Sequence, residues 1–318
     1  GTFNFYDTEK KTAYQDCYAS LNAGKTLGIG NYDSANIIHS NGKFYLLVGT
    51  STSNRDHFYI VDAKTLYYEN SAVVGANLSG LTILNEQYGL VTGDGIRRID
   101  LKSLNNVRIK NERLLCFYNS IIYNGKVLSN DTYKDESKVK YYDVNELIAA
   151  KEGEAPAVTE LDIIQKQKIN FVLAKDGNVY TLESADNGCN IVKIKNDFTL
   201  EKVFANFQPA KGPYHSSPTI GMVASETENI IYLVSTDGAI FKYILGDSDS
   251  LKAPFIAAES GVSITAPLQL NQQSGELYVT YTEERKDESK IVVYSKDGKV
   301  LHTVDCGESV PSQILFNN

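Results

Sequence analysis

One short pattern recurs along the whole chain and constrains its fold more than any other feature. A strand that alternates apolar and polar residues closes at a residue that is often Asp, and seven such strands can be aligned. They end at Asp7, Asp62, Asp100, Asp143, Lys195, Ile244 and Ser295. The average interval between these ends is about 48 residues, which is the length of one four-stranded propeller blade.

The turn after the strand repeats as well. The segment Asp62-Ala63-Lys64-Thr65-Leu66 is matched by Asp100-Leu101-Lys102-Ser103-Leu104 and more loosely by the five residues from Asp143. Asp, Ser and Thr favour such turns because their short polar side chains hydrogen-bond the local backbone. The repeated turn therefore predicts that an aspartate organises the connection from the third to the fourth strand.

Gly-containing dipeptides mark the connections between strands. Only Gly, Asn and Asp adopt positive φ at low cost, so these dipeptides predict type I′ turns between antiparallel strands. We predict such turns before the second strand at Asn41-Gly42, Asn124-Gly125 and Asp176-Gly177, and connections from the second to the third strand at Asp94-Gly95 and Asp237-Gly238.

The sequence thus predicts an all-β fold, with residues 1–318 forming a single domain. The expected architecture is a seven-bladed β-propeller of four-stranded antiparallel blades. The chain opens with a third strand, FNFYD, and closes with SQILFNN, which has the pattern of a first strand. We expect these N- and C-terminal strands to share one blade and close the ring, because closure removes open sheet edges. Residues 144–151 are the one predicted helical stretch.

Charge and hydropathy exclude several classes of partner. The net charge is −8 and the 31 Lys and Arg are scattered, so we expect no binding to nucleic acid. The chain has no apolar run long enough for a transmembrane segment and no intact signal sequence. We expect a monomer.

The cysteines do not form a metal-binding pattern. Cys17, Cys116, Cys189 and Cys306 lie far apart, without a CxxC pair or a histidine at ligand spacing, so no metal and no cofactor are predicted. Cys17 and Cys306 fall in the first and last repeats, which leaves open both a disulfide between them and four buried thiols. The acidic run 247–250 lacks the Gly and Glu of a calcium loop and reads as a solvated turn.

No catalytic motif is present, so no catalytic residue is predicted. His215 is the notable histidine, because it lies in QPAKGPYHSSPT, a long connection between blades, and such connections often carry function. In a propeller, the connections between blades and those between the second and third strands share one face. The residues expected to bind a ligand there are Tyr32, Asp33, Arg55, Tyr118, Tyr133, Tyr214, His215, Tyr281 and Arg285.

The chain resembles a known family in its opening GTFNFYDTEKKT, in its repeated strand-and-turn pattern YIVDAKTL and in its closing segment VVYSKDGKVLHTVDCGESVPSQILFNN. These segments are similar to the YncE-like, seven-bladed surface propellers of Bacteroidetes, grouped as a domain of unknown function of the DUF5074 type. The resemblance implies an exported protein of the periplasm or outer-membrane surface, anchored to lipid through an upstream Cys that has been removed. Some related propellers capture corrinoids for uptake, which makes a corrinoid a possible ligand class.

Three functions remain open from the sequence. The first is a non-catalytic binding module that captures a small molecule or an envelope protein. The second is a lyase or hydrolase in which His215 acts with a carboxylate such as Asp33 or Glu284. The third is a scaffold whose faces bind other proteins. The absence of Trp weakens the readings as a sugar-stacking lectin or a quinone-cofactor dehydrogenase, and the first hypothesis is preferred.

Overall fold

The computed structural model describes most of the chain. The described residues are 4–25, 27, 32–50, 55–76, 78–93, 95–110, 120–130, 137–154, 156–165, 170–210, 221–283, 288–307 and 314–316. For residues 32–35, 49–50, 79, 110 and 137 the description covers the backbone alone.

Contacts between residues group the chain into two compact units. Unit 1 comprises residues 1–133, 140–160 and 317–318, and unit 2 comprises residues 134–139 and 161–316. The prediction of one domain over residues 1–318 stays a prediction.

Unit 1 holds a two-stranded hairpin and two four-stranded antiparallel sheets. The hairpin pairs β1 (Phe5–Asp7) with β2 (Thr12–Tyr14). The next sheet runs β3 (Tyr32–Ser40), β4 (Lys43–Thr50), β5 (Asp56–Asp62) and β6 (Tyr68–Gly75). The following sheet runs β7 (Leu78–Ile83), β8 (Tyr88–Gly93), β9 (Gly95–Asp100) and β10 (Asn106–Lys110).

A further four-stranded sheet has strands in both units, and three sheets lie in unit 2. The former runs β11 (Ile121–Tyr123), β12 (Lys126–Asn130), β13 (Ser137–Asp143) and β14 (Val158–Gln165). Unit 2 begins with β15 (Val172–Leu173), β16 (Val179–Ala185), β17 (Gly188–Ile194) and β18 (Leu200–Phe207). A three-stranded sheet of β19 (Met222–Ala224), β20 (Ile230–Val234) and β21 (Ile240–Ile244) follows. The last sheet pairs both β22 (Val262–Ile264) and β23 (Gln269–Leu270) with β24 (Leu277–Glu283), then adds β25 (Ser289–Tyr294) and β26 (Val300–Gly307).

The helices are short. They are α1 (Cys17–Leu21), α2 (Val144–Ala149) and a single 3-10 turn, Ser248–Leu251. The α-helices among the described residues have five and six residues, which is too few to cross a lipid bilayer. The predicted helix at 144–151 is therefore confirmed over most of its length, and α1 is an element that the sequence did not predict.

Hydrophobic burial explains the order of strands within each sheet. The second strands are mostly buried, as in β20, where all five residues are buried between neighbouring strands. The fourth strands lie at sheet edges and are less buried, as in β18, where most side chains are exposed. Bulges interrupt the pairing of third with fourth strands in four sheets, and such irregular edges discourage pairing with other chains.

The repeated aspartate turn is confirmed. The Asp62 carboxylate accepts hydrogen bonds from the backbone N–H of Lys64 (3.1 Å) and Thr65 (2.8 Å) and from the Thr65 hydroxyl (2.8 Å). Asp100 accepts the equivalent three bonds from Lys102 and Ser103. One short side chain thus satisfies the backbone of the whole turn.

The hairpin predictions are mostly confirmed. Asn41-Gly42 and Asn124-Gly125 have positive φ at both residues, as a type I′ turn requires. The Asp176-Gly177 prediction is wrong in type, because only Gly177 has positive φ and its N–H donates to the carbonyl of Ala174. The loop is longer than two residues, so a tight turn closed by Gly replaces the primed turn.

The propeller class is confirmed and the blade count differs. The described chain is an all-β propeller of antiparallel, mostly four-stranded sheets, and six of these sheets contain three or more strands. The seventh predicted blade is represented by the hairpin β1–β2. Residues 314–316 form no strand, and the rest of SQILFNN lies outside the described residues, so closure of the ring by the two chain ends stays a prediction. Cys17, Cys189 and Cys306 are free thiols, so the Cys17–Cys306 disulfide is not formed.

We predict that Asp100→Ala lowers the free energy of unfolding by about 1 kcal/mol at pH 7, because the turn loses the acceptor for its backbone N–H groups. The Ser103 N–H is the main cause of the lowered pKa of Asp100. The native carboxylate therefore contributes stability that is lost as the pH falls through that lowered pKa, and the gap between variant and wild type should close in acid. Urea denaturation at pH 7 and below pH 4 measures both effects.

The matched control is Glu86→Ala, since Glu86 is an exposed residue of the same sheet's first connection. Equal stability losses in the two variants would contradict the role assigned to Asp100.

Candidate functional site

First strands begin, and second strands end, at the same end of each sheet. In the sheet β3–β6, the register pairs Tyr32 with Thr50 and Asp56 with Gly75 at this end. We call it the loop-bearing end, because the connections between sheets and those between second and third strands leave from it. It corresponds to the face on which the sequence predicted the ligand-binding residues.

The predicted site residues are only partly described. Tyr118, Tyr133, Tyr214, His215 and Arg285 lie outside the described residues, as does Glu284.

Two predicted residues open a strand, and a third precedes another strand of the same sheet. Tyr32 and Asp33 are the first residues of β3, and Asp33 falls where the pairing with β4 shifts by one residue. Arg55 is exposed immediately before β5. The backbone therefore brings these three residues to the loop-bearing end of one sheet.

Tyr281 is placed differently. It lies on β24, is 3% exposed and belongs to the hydrophobic core of unit 2. Its hydroxyl is 3.1 Å from the hydroxyl of Tyr294, and burial is the main cause of its raised pKa. This position assigns Tyr281 to packing inside its sheet, because a core side chain offers no surface to a ligand.

Four exposed residues form a polar rim at the loop-bearing end of unit 2. The rim consists of Asn187, Gln208, Thr236 and Asp237. The Gln208 side-chain amide donates to the carbonyl of Asn187 at 2.6 Å, and the carbonyl of Gln208 accepts from the Thr236 N–H at 2.9 Å. Gln208 therefore joins the β16–β17 hairpin to the β20–β21 turn.

A side-chain amide also joins these two sheets near the start of their first strands. Asn170 Nδ2 donates to the carbonyl of Met222 at 2.7 Å, and the Met222 N–H donates to Asn170 Oδ1 at 3.1 Å. The side chain thus imitates one step of a β-ladder. Asn170 is held in turn by the Thr181 hydroxyl, which donates to its carbonyl and accepts from Gln165.

The other end of β19 is fixed in the same way. Gln272 Nε2 donates to the carbonyl of Ala224 at 3.0 Å, and the Glu226 N–H donates to Gln272 Oε1 at 2.8 Å. The strand β19, which follows residues 211–220 in sequence, is therefore held by an amide from each neighbouring sheet. At the other side of that segment, the Ala210 N–H donates to the carbonyl of Val234.

Unit 1 uses an aspartate side chain for the same purpose. Asp56 is 2% exposed at the start of β5, and its carboxylate accepts a short hydrogen bond from the N–H of Leu78 at the start of β7.

In unit 1 the Arg98 guanidinium donates to the carbonyls of Ile148 and Ala150 at the C-terminal end of α2, which supplies partners for an otherwise open helix end.

Many described groups have a pKa that is displaced away from neutrality. The aspartates and glutamates concerned are lowered, and the tyrosines, lysines and cysteines are raised. On the rim, the Ser235 hydroxyl is the main cause of the lowered pKa of Asp237. Burial raises the pKa of the Cys189 thiol to about 11. General acids and bases need pKa values near the working pH, and these shifts go the other way.

The rim and the amide bonds were missed by sequence reasoning. Asn170 and Gln272 bond to residues about 50 positions away, so no local spacing reveals them. Gln208 is the first residue of QPAKGPYHSSPT, the connection that the sequence analysis predicted to carry function.

Comparison with known proteins gives a family and a fold. A family profile described as "Domain of unknown function (DUF5074)" matches residues 1–317. No curated protein matches the chain.

Solved structures resemble the chain at low sequence identity. A functionally unknown protein from Desulfotomaculum acetoxidans DSM 771 has a TM-score of 0.58 at 12% identity, covering 97% of this chain and 93% of its own. A streptogramin B lyase structure has a TM-score of 0.52 at 14% identity, covering 90% and 88%. A prolyl endopeptidase has a TM-score of 0.52 at 12% identity over 86% of this chain, which spans 43% of the peptidase. At these identities the likeness shows the fold alone.

We predict that Asn170→Asp destabilises the protein by about 1–3 kcal/mol at pH 7, because a carboxylate oxygen replaces the donor that faces the Met222 carbonyl. The ionised form is disfavoured in the folded state, so the folded pKa of the new carboxyl lies above its unfolded value. The stabilising protonated form is then lost as the pH rises through that pKa, and the variant should approach wild type as the pH falls.

Urea denaturation at pH 7 and pH 4 checks this prediction, with the exposed Asn229→Asp as the control for the added charge. A stability deficit of Asn170→Asp that is the same at both pH values would contradict the proposed hydrogen-bond pair.

Proposed function

This chain belongs to the DUF5074 family of unknown function, and from its geometry we propose that it is a non-catalytic binding module. In this proposal it is an exported, seven-bladed propeller of the cell envelope. It captures a small molecule, or an envelope protein, at the loop-bearing end of its sheets.

The observation that carries the proposal is the direction of the pKa shifts. An acid/base enzyme tunes at least one carboxyl up or one amine down toward neutrality, by burial or by like charge. The carboxyl groups whose pKa is lowered accept hydrogen bonds that favour the ionised form, and the hydroxyl of Thr65 is the main cause of the lowered pKa of Asp62. Groups held in one protonation state suit hydrogen bonding and charge pairing, which are the needs of a binding site.

The hydrogen bonds at the loop-bearing end support binding in a second way. Gln208 and Asn170 bond the backbone of neighbouring strands, so this end of the strands in unit 2 is fixed before any ligand arrives. A surface that is already ordered loses less conformational entropy on binding. The rim residues Thr236 and Asp237 are exposed, and hydrogen bonds hold both side chains, to Gln208 and Pro209 and to Ser235 and Ala239 respectively.

The expected ligand is planar or polyhydroxylated, with a corrinoid as one candidate. Tyrosine offers a stacking face and a hydroxyl, and arginine offers a forked donor. The expected contacts are Tyr214 and His215, next in sequence to the rim, with Arg55 at the corresponding end of unit 1. The corrinoid candidate rests on the family resemblance.

Export and lipid anchoring rest on the same resemblance. We propose a periplasmic or outer-membrane location, attachment to the membrane through a lipid-modified cysteine, and action as a monomer. The net charge of −8 argues against nucleic acid as a partner.

We predict that one class of ligand raises the melting temperature of the purified chain in a thermal-shift screen, because a ligand that binds only the folded state stabilises it. The probes are cyanocobalamin, haemin, ATP, chitin oligosaccharides and Mg²⁺ or Ca²⁺. At a ligand concentration of about 100 times Kd the stabilisation is about 2.7 kcal/mol. The shift should vanish in the double variant Tyr214→Ala, His215→Ala.

The control variant is Tyr67→Ala, which removes an exposed tyrosine from the opposite end of the sheet β3–β6. A hit that survives the double variant and is lost in Tyr67→Ala would place binding at the wrong end. A screen without any hit would favour a protein partner over a small molecule.

A further inference from the structure

The first strand of the last sheet is interrupted in its middle. The register pairs Ile264 with Tyr281 and Gln269 with Tyr278. Residues 265–268 on one side therefore face only residues 279 and 280 on the other, so the first strand carries two extra residues. Pro267 lies within the break and has no backbone N–H to offer the ladder.

The break encloses polar groups that have no hydrogen-bond partner in the part of the chain that the structure describes. Thr280 is 0% exposed, and its hydroxyl forms no hydrogen bond. Ala266 and Leu268 are also buried, and within the described residues their N–H groups form no hydrogen bond, whereas the Thr265 N–H donates to the carbonyl of Thr280 at 3.2 Å. Buried polar groups in native proteins are almost always satisfied, by protein or by ordered water.

A second sheet repeats this arrangement. Thr92 on β8 is 2% exposed, and its hydroxyl also lacks a partner. Its opposite residue on the first strand is Gly80, and the next pair is Leu78 with Gly93, so residue 79 is an extra residue on that strand. A bulge in the first strand thus lies beside a buried, unsatisfied threonine in both sheets.

The two threonines occupy the same position of the repeat. Thr92 pairs with Ile96, four residues before Asp100, and Thr280 pairs with Ile291, four residues before Ser295. In the sheet β3–β6 the equivalent residue is Leu47, and the pairing of the first strand is regular there. The shift in register of β3 lies further along the strand, between Tyr32 and Ser34, so the threonine is absent where no bulge adjoins its position.

We propose that each bulge binds one buried water molecule, hydrogen-bonded to the hydroxyl of Thr280 in the last sheet and of Thr92 in the second. The water supplies the hydrogen bonds that the strands would have made to each other if the ladder were continuous. Beside the break in the last sheet, the hydroxyls of Thr265 and Thr282 are 2.8 Å apart, and those of Thr282 and Ser289 are 3.0 Å apart. This site is therefore polar on the side toward β25. These hydration sites are independent of the proposed ligand-binding function.

The sign of a stability change tests the proposal. Thr280→Val and Thr92→Val keep the shape of the side chain and remove its hydroxyl. If water is bound, each variant leaves the water and the amide groups short of a partner, and the unfolding constant from urea denaturation should rise about five- to tenfold. If the site is dry, removal of an unsatisfied hydroxyl leaves stability unchanged or increases it, which would overturn the proposal.

The matched control is Thr303→Val, on the exposed outer strand of the last sheet, which should leave the unfolding constant unchanged. A high-resolution crystal structure of the wild type gives the direct answer if a valine variant does not fold. We expect an ordered water oxygen about 3 Å from the Thr280 hydroxyl. An empty break at that position would refute the site.

Discussion

Hydrogen bonds from side-chain amides to the backbone of a neighbouring sheet are the interaction on which the described fold of unit 2 depends. The three-residue strand β19 is too short to fix its own position, and its sheet has only three strands. Asn170 bonds the start of β19 and Gln272 bonds its end, from the sheets on either side. Each amide supplies a donor and an acceptor, so it replaces a step of β-ladder between sheets that share no backbone pairing there.

This way of joining sheets has a consequence for function. The bonds use groups that stay neutral or fully ionised near pH 7, and the displaced pKa values among the described residues lie away from neutrality. In the part of the chain that the structure describes, the loop-bearing end of unit 2 is therefore polar and held by hydrogen bonds to the backbone. An ordered surface whose groups keep one protonation state suits ligand recognition. The streptogramin B lyase and prolyl endopeptidase structures share the fold, and at 12–14% identity they indicate nothing about the chemistry of this chain.

The parts of the fold that could be predicted from sequence are those set by local contacts. Asp62 and Asp100 bond residues two and three positions ahead, so their turns are visible as repeats. The Asp176 turn was mispredicted because the dipeptide does not reveal how many residues its loop holds. Asn170 and Gln272 act across about 50 residues, beyond any local pattern. Tyr281 was predicted to lie at a surface, although it is a core residue of a second strand. Second strands are buried on both faces, so the alternation of apolar and polar residues does not show where the buried part of the strand ends.

Recovery of a bound ligand tests the central claim most directly. The chain would be incubated with the compound that gives the largest thermal shift, and bound and free fractions would then be analysed by mass spectrometry. A non-catalytic binding module predicts chemically unchanged ligand at no more than stoichiometric occupancy, however long the incubation. A product that accumulates beyond the amount of protein, and that is lost in His215→Ala, would contradict this account and establish an enzyme.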